Sequence, residues 1–283
     1  MLKILKPLLA TAAVLFSGTA FAADFYEPPV IEAPPPQIIE KEVSHGGWYI
    51  RGDVDYHWSK LRGTEYITYG CCTPDPGSDS FDTTDLKGAM SLGAGVGYKM
   101  SKYFRADLTA DYWFKSDFRG STSGTCGGVP CVSTDASSYS ALLLLANAYV
   151  DLGSYHGVTP YVGAGLGGAY VKWDDLENTI GGTTDVHGGA SGWRFAWAVM
   201  AGASYCLTSN LELDAGYRYS RIEGGRMFEE SGIGVGPGFD KGISTHEARA
   251  GLRYAFGPSG SANCAQPEIV AYEPPVYEPP VYK

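Results

Sequence analysis

Residues 48–58 read WYIRGDVDYHW, and the run alternates strictly. Trp48, Ile50, Gly52, Val54, Tyr56 and Trp58 share one parity, while Tyr49, Arg51, Asp53, Asp55 and His57 share the other. A period of two places these sets on opposite faces of a β-strand. One face is apolar with aromatics at both ends, and the other is densely charged. A soluble sandwich would bury the apolar face and wet the polar one. It gives no reason for aromatic residues at both ends of the apolar face.

The pattern recurs seven more times, over 90–99, 104–112, 142–151, 162–170, 195–205, 211–219 and 247–256. As read, no Asp, Glu, Lys or Arg falls on the apolar face of any of these strands. The opposite face collects Arg51, Lys99, Arg105, Arg218, Arg249 and Arg253 with Asp53, Asp55, Asp107, Asp111, Asp151, Glu212, Asp214 and Glu247. A charge facing lipid at mid-bilayer costs ~2–4 kcal/mol, so its absence from one face is what lipid exposure demands. Charges of both signs on the other face pair inside a narrow lumen. Trp48, Tyr98, Phe104, Tyr205, Tyr254 and Phe256 fall at one rim. Trp58, Tyr112, Phe114, Tyr170, Phe195, Tyr217 and Tyr219 fall at or near the other. Two aromatic girdles mark the two membrane interfaces.

The connections alternate in length. Stretches 59–88, 115–138, 173–192 and 222–243 are long, whereas the chain turns quickly at Ser101-Lys102, 153–158 and 207–210. Long outer loops and short periplasmic turns are the order expected of a bacterial barrel. The reading is therefore an all-β fold: an eight-stranded antiparallel transmembrane β-barrel over 47–256, with strands of ~10 residues and both ends of the barrel chain on the periplasmic side. So narrow a barrel holds side chains or one small ligand, and is no wide pore.

Composition agrees. Of 283 residues, 44% are hydrophobic and 18% charged, and 31 acidic residues exceed 21 basic ones for a net charge of −10. A chain this acidic, with no basic block, is poorly suited to nucleic acid. Residues 1–22 read as a secretory signal: Lys3 and Lys6 precede the apolar Leu8–Phe16, and Ala20-Phe21-Ala22 is a small-x-small site with cleavage between Ala22 and Ala23. Pro- and Glu-rich segments flank the barrel, 23–46 before it and 257–283 after it. Tyr-Glu-Pro-Pro-Val begins at Tyr26, Tyr272 and Tyr277. Paired prolines favour extended polyproline II and no packed core, so both tails are expected to be disordered in the periplasm. They read either as ligands of the cell wall or a periplasmic partner, or as spacers.

Export to an oxidising compartment makes disulfides the better reading of the six cysteines, since CxxC pairs and neighbouring His pairs are missing. Gly163, Gly165 and Gly168 match GxGxxG spacing, but no helix pattern follows and no βαβ unit contains them. They read instead as interior glycines making room for bulky charged neighbours. No cofactor or metal is implied.

The segments FYEPPV, TPYVGAGLGGAY, FAWAVMAGASY, LELDAGYRYS and HEARAGLRYAF resemble the small opacity-type outer-membrane barrels of alphaproteobacteria, often labelled "porin family" or surface antigen. The resemblance covers roughly 47–256. It implies an eight-stranded barrel in the Gram-negative outer membrane, contact with outer-membrane lipid and lipopolysaccharide and, in some members, adhesion. It carries no common catalytic residue. The chain departs from that pattern by running on past Phe256 to Lys283 and by its Cys-rich loops. A mature Ala23-Asp24 start resembles the acceptor that transpeptidases join to peptidoglycan in related envelopes.

With sides assigned, Cys71, Cys72, Cys126 and Cys131 fall in outer loops, and Cys206 and Cys264 at the periplasmic end. The expected pairs are Cys206–Cys264, Cys126–Cys131 and vicinal Cys71–Cys72, with cross-bridging of loops 1 and 2 as the alternative. Three functions compete. The first is a structural envelope protein, with its tails toward peptidoglycan. The second is an adhesin whose loops bind a host or phage surface. The third is a lipid-modifying enzyme drawing on His57 or His187, for which no Ser-His-Asp constellation is evident. Of the other histidines, His45 is in the tail, His156 in a periplasmic turn and His246 near the outer rim.

Overall fold

A computed structural model describes residues 38–41, 46–69, 76–232, 234–257, 260–261, 263–264 and 268–271. Eight long strands form the barrel: β1 (Gly47–Leu61), β2 (Ala89–Lys99), β3 (Phe104–Ser121), β4 (Thr134–Asp151), β5 (Val158–Trp173), β6 (Ser191–Cys206), β7 (Leu211–Ile222) and β8 (Ile243–Ala255). Each pairs antiparallel with its sequence neighbour, and β8 pairs with β1, so the ring closes and leaves no free edge. Closure is what allows a sheet to stand in lipid, where every backbone group must find a partner within the protein.

The parity read from 48–58 is the parity of the fold. Trp48, Ile50, Val54, Tyr56 and Trp58 are exposed, while Arg51, Asp53, Asp55 and His57 are buried in the lumen. Cross-strand and neighbouring aromatics pack edge to face at both rims: Trp48 with Tyr98 and Tyr254 with Phe256 at one, Tyr112 with Phe114 and Trp197 with Tyr219 at the other.

Strand length departs from the sequence reading. The strands run from 11 to 18 residues rather than ~10. Half of segment 115–138 is barrel ladder, and the connection proper is only 122–133. The reason is visible in the outward residues. Beyond the aromatic rim the exposed positions turn polar, as at Lys60, Lys115, Asp117, Arg119 and Lys172. Ladder pairing continues there in water. A bulge sets the change: Phe114 and Lys115 together oppose Ser140, with the register stepping between Tyr139 and Ala141. The extra residue keeps Trp113, Ser116 and Phe118 all facing inward.

The long loops are folded, not plain coil. Gly225–Phe228, Val235–Asp240, Thr64–Thr68 and Gly77–Asp79 make one four-stranded sheet from loops 4 and 1. Leu176–Ile180 and Thr183–His187 form a hairpin docked on the top of β4. Ser123–Cys126 and Val129–Val132 form a separate hairpin. Phe81 packs the four-stranded sheet against the top of β3, with ring centroids 5.5 Å from Phe118, 5.7 Å from Tyr66 and 6.2 Å from Phe228. We call this assembly the crown. Ile38–Lys41 pairs with Glu268–Ala271 as a two-stranded sheet. The signal segment with Ala22, Ala23 and Asp24, the Tyr-Glu-Pro-Pro-Val repeats, His45, Cys71 and Cys72 lie outside the described residues.

Candidate functional site

The lumen is filled in layers. At the periplasmic mouth, Lys99 Nζ and Arg105 Nε each lie 3.0 Å from Asp151. The Arg105 guanidinium stacks over Tyr149 and Tyr161 at 4.0 and 4.5 Å. Arg253 pairs with Glu212 and lies 3.6 Å from Asp214, which also accepts from the Tyr161 hydroxyl at 2.5 Å. Ser261, Asn263 and Cys264, beyond β8, reach this mouth. Ser261 donates to Glu212, Asn263 donates to Asp151 at 3.4 Å, and Cys264 is disulfide-bonded to Cys206.

Above it, Arg51 holds Asp53 through two hydrogen bonds of 2.9 and 2.7 Å and reaches Asp107 at 3.4 Å. Tyr49 and Asn147 also donate to Asp107, at 3.0 and 2.8 Å. The next layer centres on two arginines. Arg249 lies 3.1 to 3.3 Å from Asp53, Asp55 and Asp111. Arg218 binds Glu247 and Asp111 at 2.5 and 2.8 Å. Every charge assigned to the lumen thus stands in an ion pair, in three clusters: Lys99 and Arg105 with Asp151, Arg253 with Glu212 and Asp214, and Arg51, Arg249 and Arg218 with the remaining five carboxylates. Pairs this buried carry large desolvation costs, against which the mutual attraction of the charges and the hydrogen bonds from Tyr49, Asn147 and Tyr161 work.

Above the ions the filling is aromatic. His57 stacks on Trp113 with centroids 4.7 Å apart, and Tyr139 donates to Ser59 at 2.7 Å and packs against Trp173. Trp113, Tyr139 and Trp173 were not among the sequence-derived interior residues. Nor was Arg194, which reaches Asp240 at 2.6 Å and the Arg226 carbonyl at 2.7 Å. Carrying the strand parity one to three residues past the outer ends of those strands finds them. The strand-5 glycines do not face charges, contrary to expectation: a Cβ on Gly163 would strike Tyr149 at 2.5 Å, and one on Gly165 would strike Asn147. His57 is wholly enclosed. His246 stands at the outer rim, 2.5 Å from the Tyr217 hydroxyl.

The crown holds a cavity of about 380 Å³. Tyr66, Phe81 and Phe228 line it, with Asp79, Asp135, Asp185, Asn178 and His187 and one edge of the 123–126 strand. Cys126 and Cys131 are bonded to each other and close the hairpin beside it. At the barrel rim below, Lys115 bonds Asp174 at 2.7 Å and holds its carboxyl below the usual range. Burial raises the Tyr66 phenol.

A sequence family described as "Outer membrane protein beta-barrel domain" matches residues 8–256. An uncharacterized protein of Brucella abortus is 37% identical over 272 residues, covering 84% of this chain and 93% of that protein. The outer membrane protein PagN of Salmonella typhimurium is 26% identical over 179 residues, covering 60% of this chain and 74% of its own. A Rickettsia canadensis protein named as a candidate adhesin is 30% identical over 146 residues, covering 50% and 63%.

Proposed function

Because the chain belongs to the outer membrane protein β-barrel domain family and resides in the outer membrane, we propose that it works from its outer face, as a closed barrel presenting a folded binding surface. The observation carrying this reading is the division of space. The lumen is packed with ion pairs and aromatic rings, while the crown is a multi-hairpin structure with its own aromatic core and a cavity. Extending strands beyond the membrane and bracing the loops gives a rigid surface, which binds with less ordering cost than free loops. The adhesin name of the Rickettsia canadensis relative points the same way. Structural support came first on sequence grounds; the crown shifts the weight toward surface binding.

The test replaces 123–132, or 176–187, with a short Gly-Ser linker and measures attachment of bacteria to host cells or adsorption of phage. Attachment should fall severalfold while the barrel still resists unfolding in detergent. Unchanged attachment in both variants overturns the reading.

A second reading is envelope support with a wall linkage through Ala23-Asp24, which rests on the sequence alone. Sacculi boiled in detergent should retain the protein until muramidase is added. Complete release by detergent alone removes covalent linkage.

A further inference from the structure

We propose that the crown takes up an extended polypeptide segment of a partner, which adds as a strand to the free edge of Ser123–Cys126 and lays alternate side chains into the crown cavity. This rests on the crown being the working face and names the class of partner that face receives.

The hairpin of Ser123–Cys126 and Val129–Val132 is a sheet of two strands, so each strand has a second edge. The two edges differ. In an antiparallel pair, positions that bond across alternate with positions whose N–H and C=O point away from the partner strand. The Ser133 N–H donates to the Thr122 carbonyl at 2.7 Å, which fixes the phase. Gly124 with Cys131 and Cys126 with Val129 then bond across, while Ser123, Thr125, Pro130 and Val132 turn their backbone groups outward. On the Val129–Val132 edge one outward position is Pro130, which has no N–H to offer and so guards that edge. The Ser123–Cys126 edge carries no proline. Among the described residues no other strand pairs with it.

Where this edge lies is the second, independent observation. Residues 122–126 line the crown cavity without a gap. A strand that shows one face to a cavity contributes every second residue, as Leu176, Asn178 and Ile180 do in the same cavity. An unbroken run means that the strand meets the cavity with its edge. Tyr66, Phe81 and Phe228 line the space beside it, and a Cβ on Gly124 would meet nothing within 4 Å, so the approach is open. A strand laid there bonds to the outward backbone groups of Ser123 and Thr125 and places every second side chain among those rings. The Cys126–Cys131 bond and the turn at Gly127-Gly128, both at positive φ, shape the receiving hairpin before anything binds. Charge selects among such segments. Asp79 and Asp185 line the cavity and no Lys or Arg does, so the segment is apolar at alternate positions and neutral or basic, not acidic.

The test uses the full-length protein in detergent micelles and isothermal titration with three end-capped heptapeptides: Lys-Val-Thr-Val-Thr-Val-Lys, the same peptide N-methylated at every valine and threonine, and Glu-Val-Thr-Val-Thr-Val-Glu. The Lys-ended peptide should bind. Methylation, which removes its backbone donors, should weaken it by about tenfold or more, and the Glu-ended peptide should bind severalfold more weakly. Thr125→Pro removes an outward N–H from the open edge without touching the bonds inside the hairpin, and should weaken the Lys-ended peptide by about tenfold. Val132→Pro makes the same change on the guarded edge and should leave binding unchanged. If Thr125→Pro does not fold, the methylated peptide makes the same comparison on the unaltered protein. No binding of the Lys-ended peptide at millimolar concentration, equal binding of its methylated form, tighter binding of the Glu-ended peptide, or a loss from Val132→Pro as large as that from Thr125→Pro overturns the proposal. Absent peptide binding, with attachment still lost on replacing 123–132, would remove the strand-addition site and leave the surface-binding reading standing. Peptide binding with attachment unaffected by that replacement would do the reverse.

Discussion

Arg218 on β7 and Asp111 on β3 meet at 2.8 Å, 107 positions apart in the chain and both fully buried. In the ring order the two strands stand on opposite sides, so this ion pair crosses the lumen. The same guanidinium also holds Glu247 on the neighbouring strand β8, through two nitrogens. Arg218 is thus a brace between halves of the barrel. Replacing it by methionine leaves Glu247 without its cation and Asp111 with Arg249 alone. Uncompensated buried charge costs about 3–5 kcal/mol. Arg218→Met should therefore unfold at lower temperature or lower denaturant in detergent, followed by loss of the β signal. Adding Glu247→Gln should recover part of the loss. A single variant as stable as the parent would sink the bracing argument.

The same packing predicts electrical silence. Arg51 fills one level of the lumen, Arg249 and Arg218 together fill the next, and His57 stacked on Trp113 closes the level above. In planar bilayers the parent protein should show no steady channel. The Arg51→Ala/Arg249→Ala/Arg218→Ala variant removes side-chain volume and leaves unpaired carboxylates. If it folds, it should admit small cations in preference to anions. A large conductance from the parent would contradict the filled lumen.

The strands were legible because lipid and lumen impose opposite demands on alternate residues. Trp48, Arg51 and Asp53 declare their faces by chemistry alone. The signal fades above the outer aromatic rim, where water stands on the outside and polarity no longer separates the faces. Lys115 and Asp117 read as loop for that reason, although both sit in an 18-residue strand. The bulge at Phe114-Lys115 compounds this by breaking the period of two. Trp113 and Tyr139 were missed as interior residues because an aromatic side chain satisfies either face. The crown cavity depends on contacts such as Phe81 with Phe228, which join loops 1 and 4. No local pattern encodes a contact of that separation.

Glycine on β6 gives a paired test of lumen crowding. A Cβ on Gly202 would lie 2.5 Å from the Ala215 carbonyl oxygen and 2.6 Å from the Tyr161 hydroxyl, while one on Gly192 would meet nothing within 4 Å. Gly202→Val should cost about 1–3 kcal/mol by overpacking, and it should also displace the Tyr161 bond to Asp214. Gly192→Val should be neutral or mildly stabilising, because valine suits a strand better than glycine. Folding yield and unfolding midpoint read both. Equal effects would mean that the strand tolerates or rejects side chains irrespective of what they face.

Leu108 and Val129 separate lipid from water at matched exposure. Leu108 on β3 is 61% exposed and Val129 in the loop-2 hairpin is 64% exposed. On a soluble protein the two would respond alike to a charge. Here Leu108 lies between the aromatic rims, level with Ala146 on β4 and Val96 on β2, so its solvent is hydrocarbon. Leu108→Arg should cost about 2–4 kcal/mol in a bilayer, whereas Val129→Arg should change stability by no more than about 0.5 kcal/mol. Reversible unfolding from lipid vesicles measures both. The gap should narrow in short-chain detergent, where an arginine reaches water more easily. Equal costs at the two positions would place the membrane boundary elsewhere on the barrel.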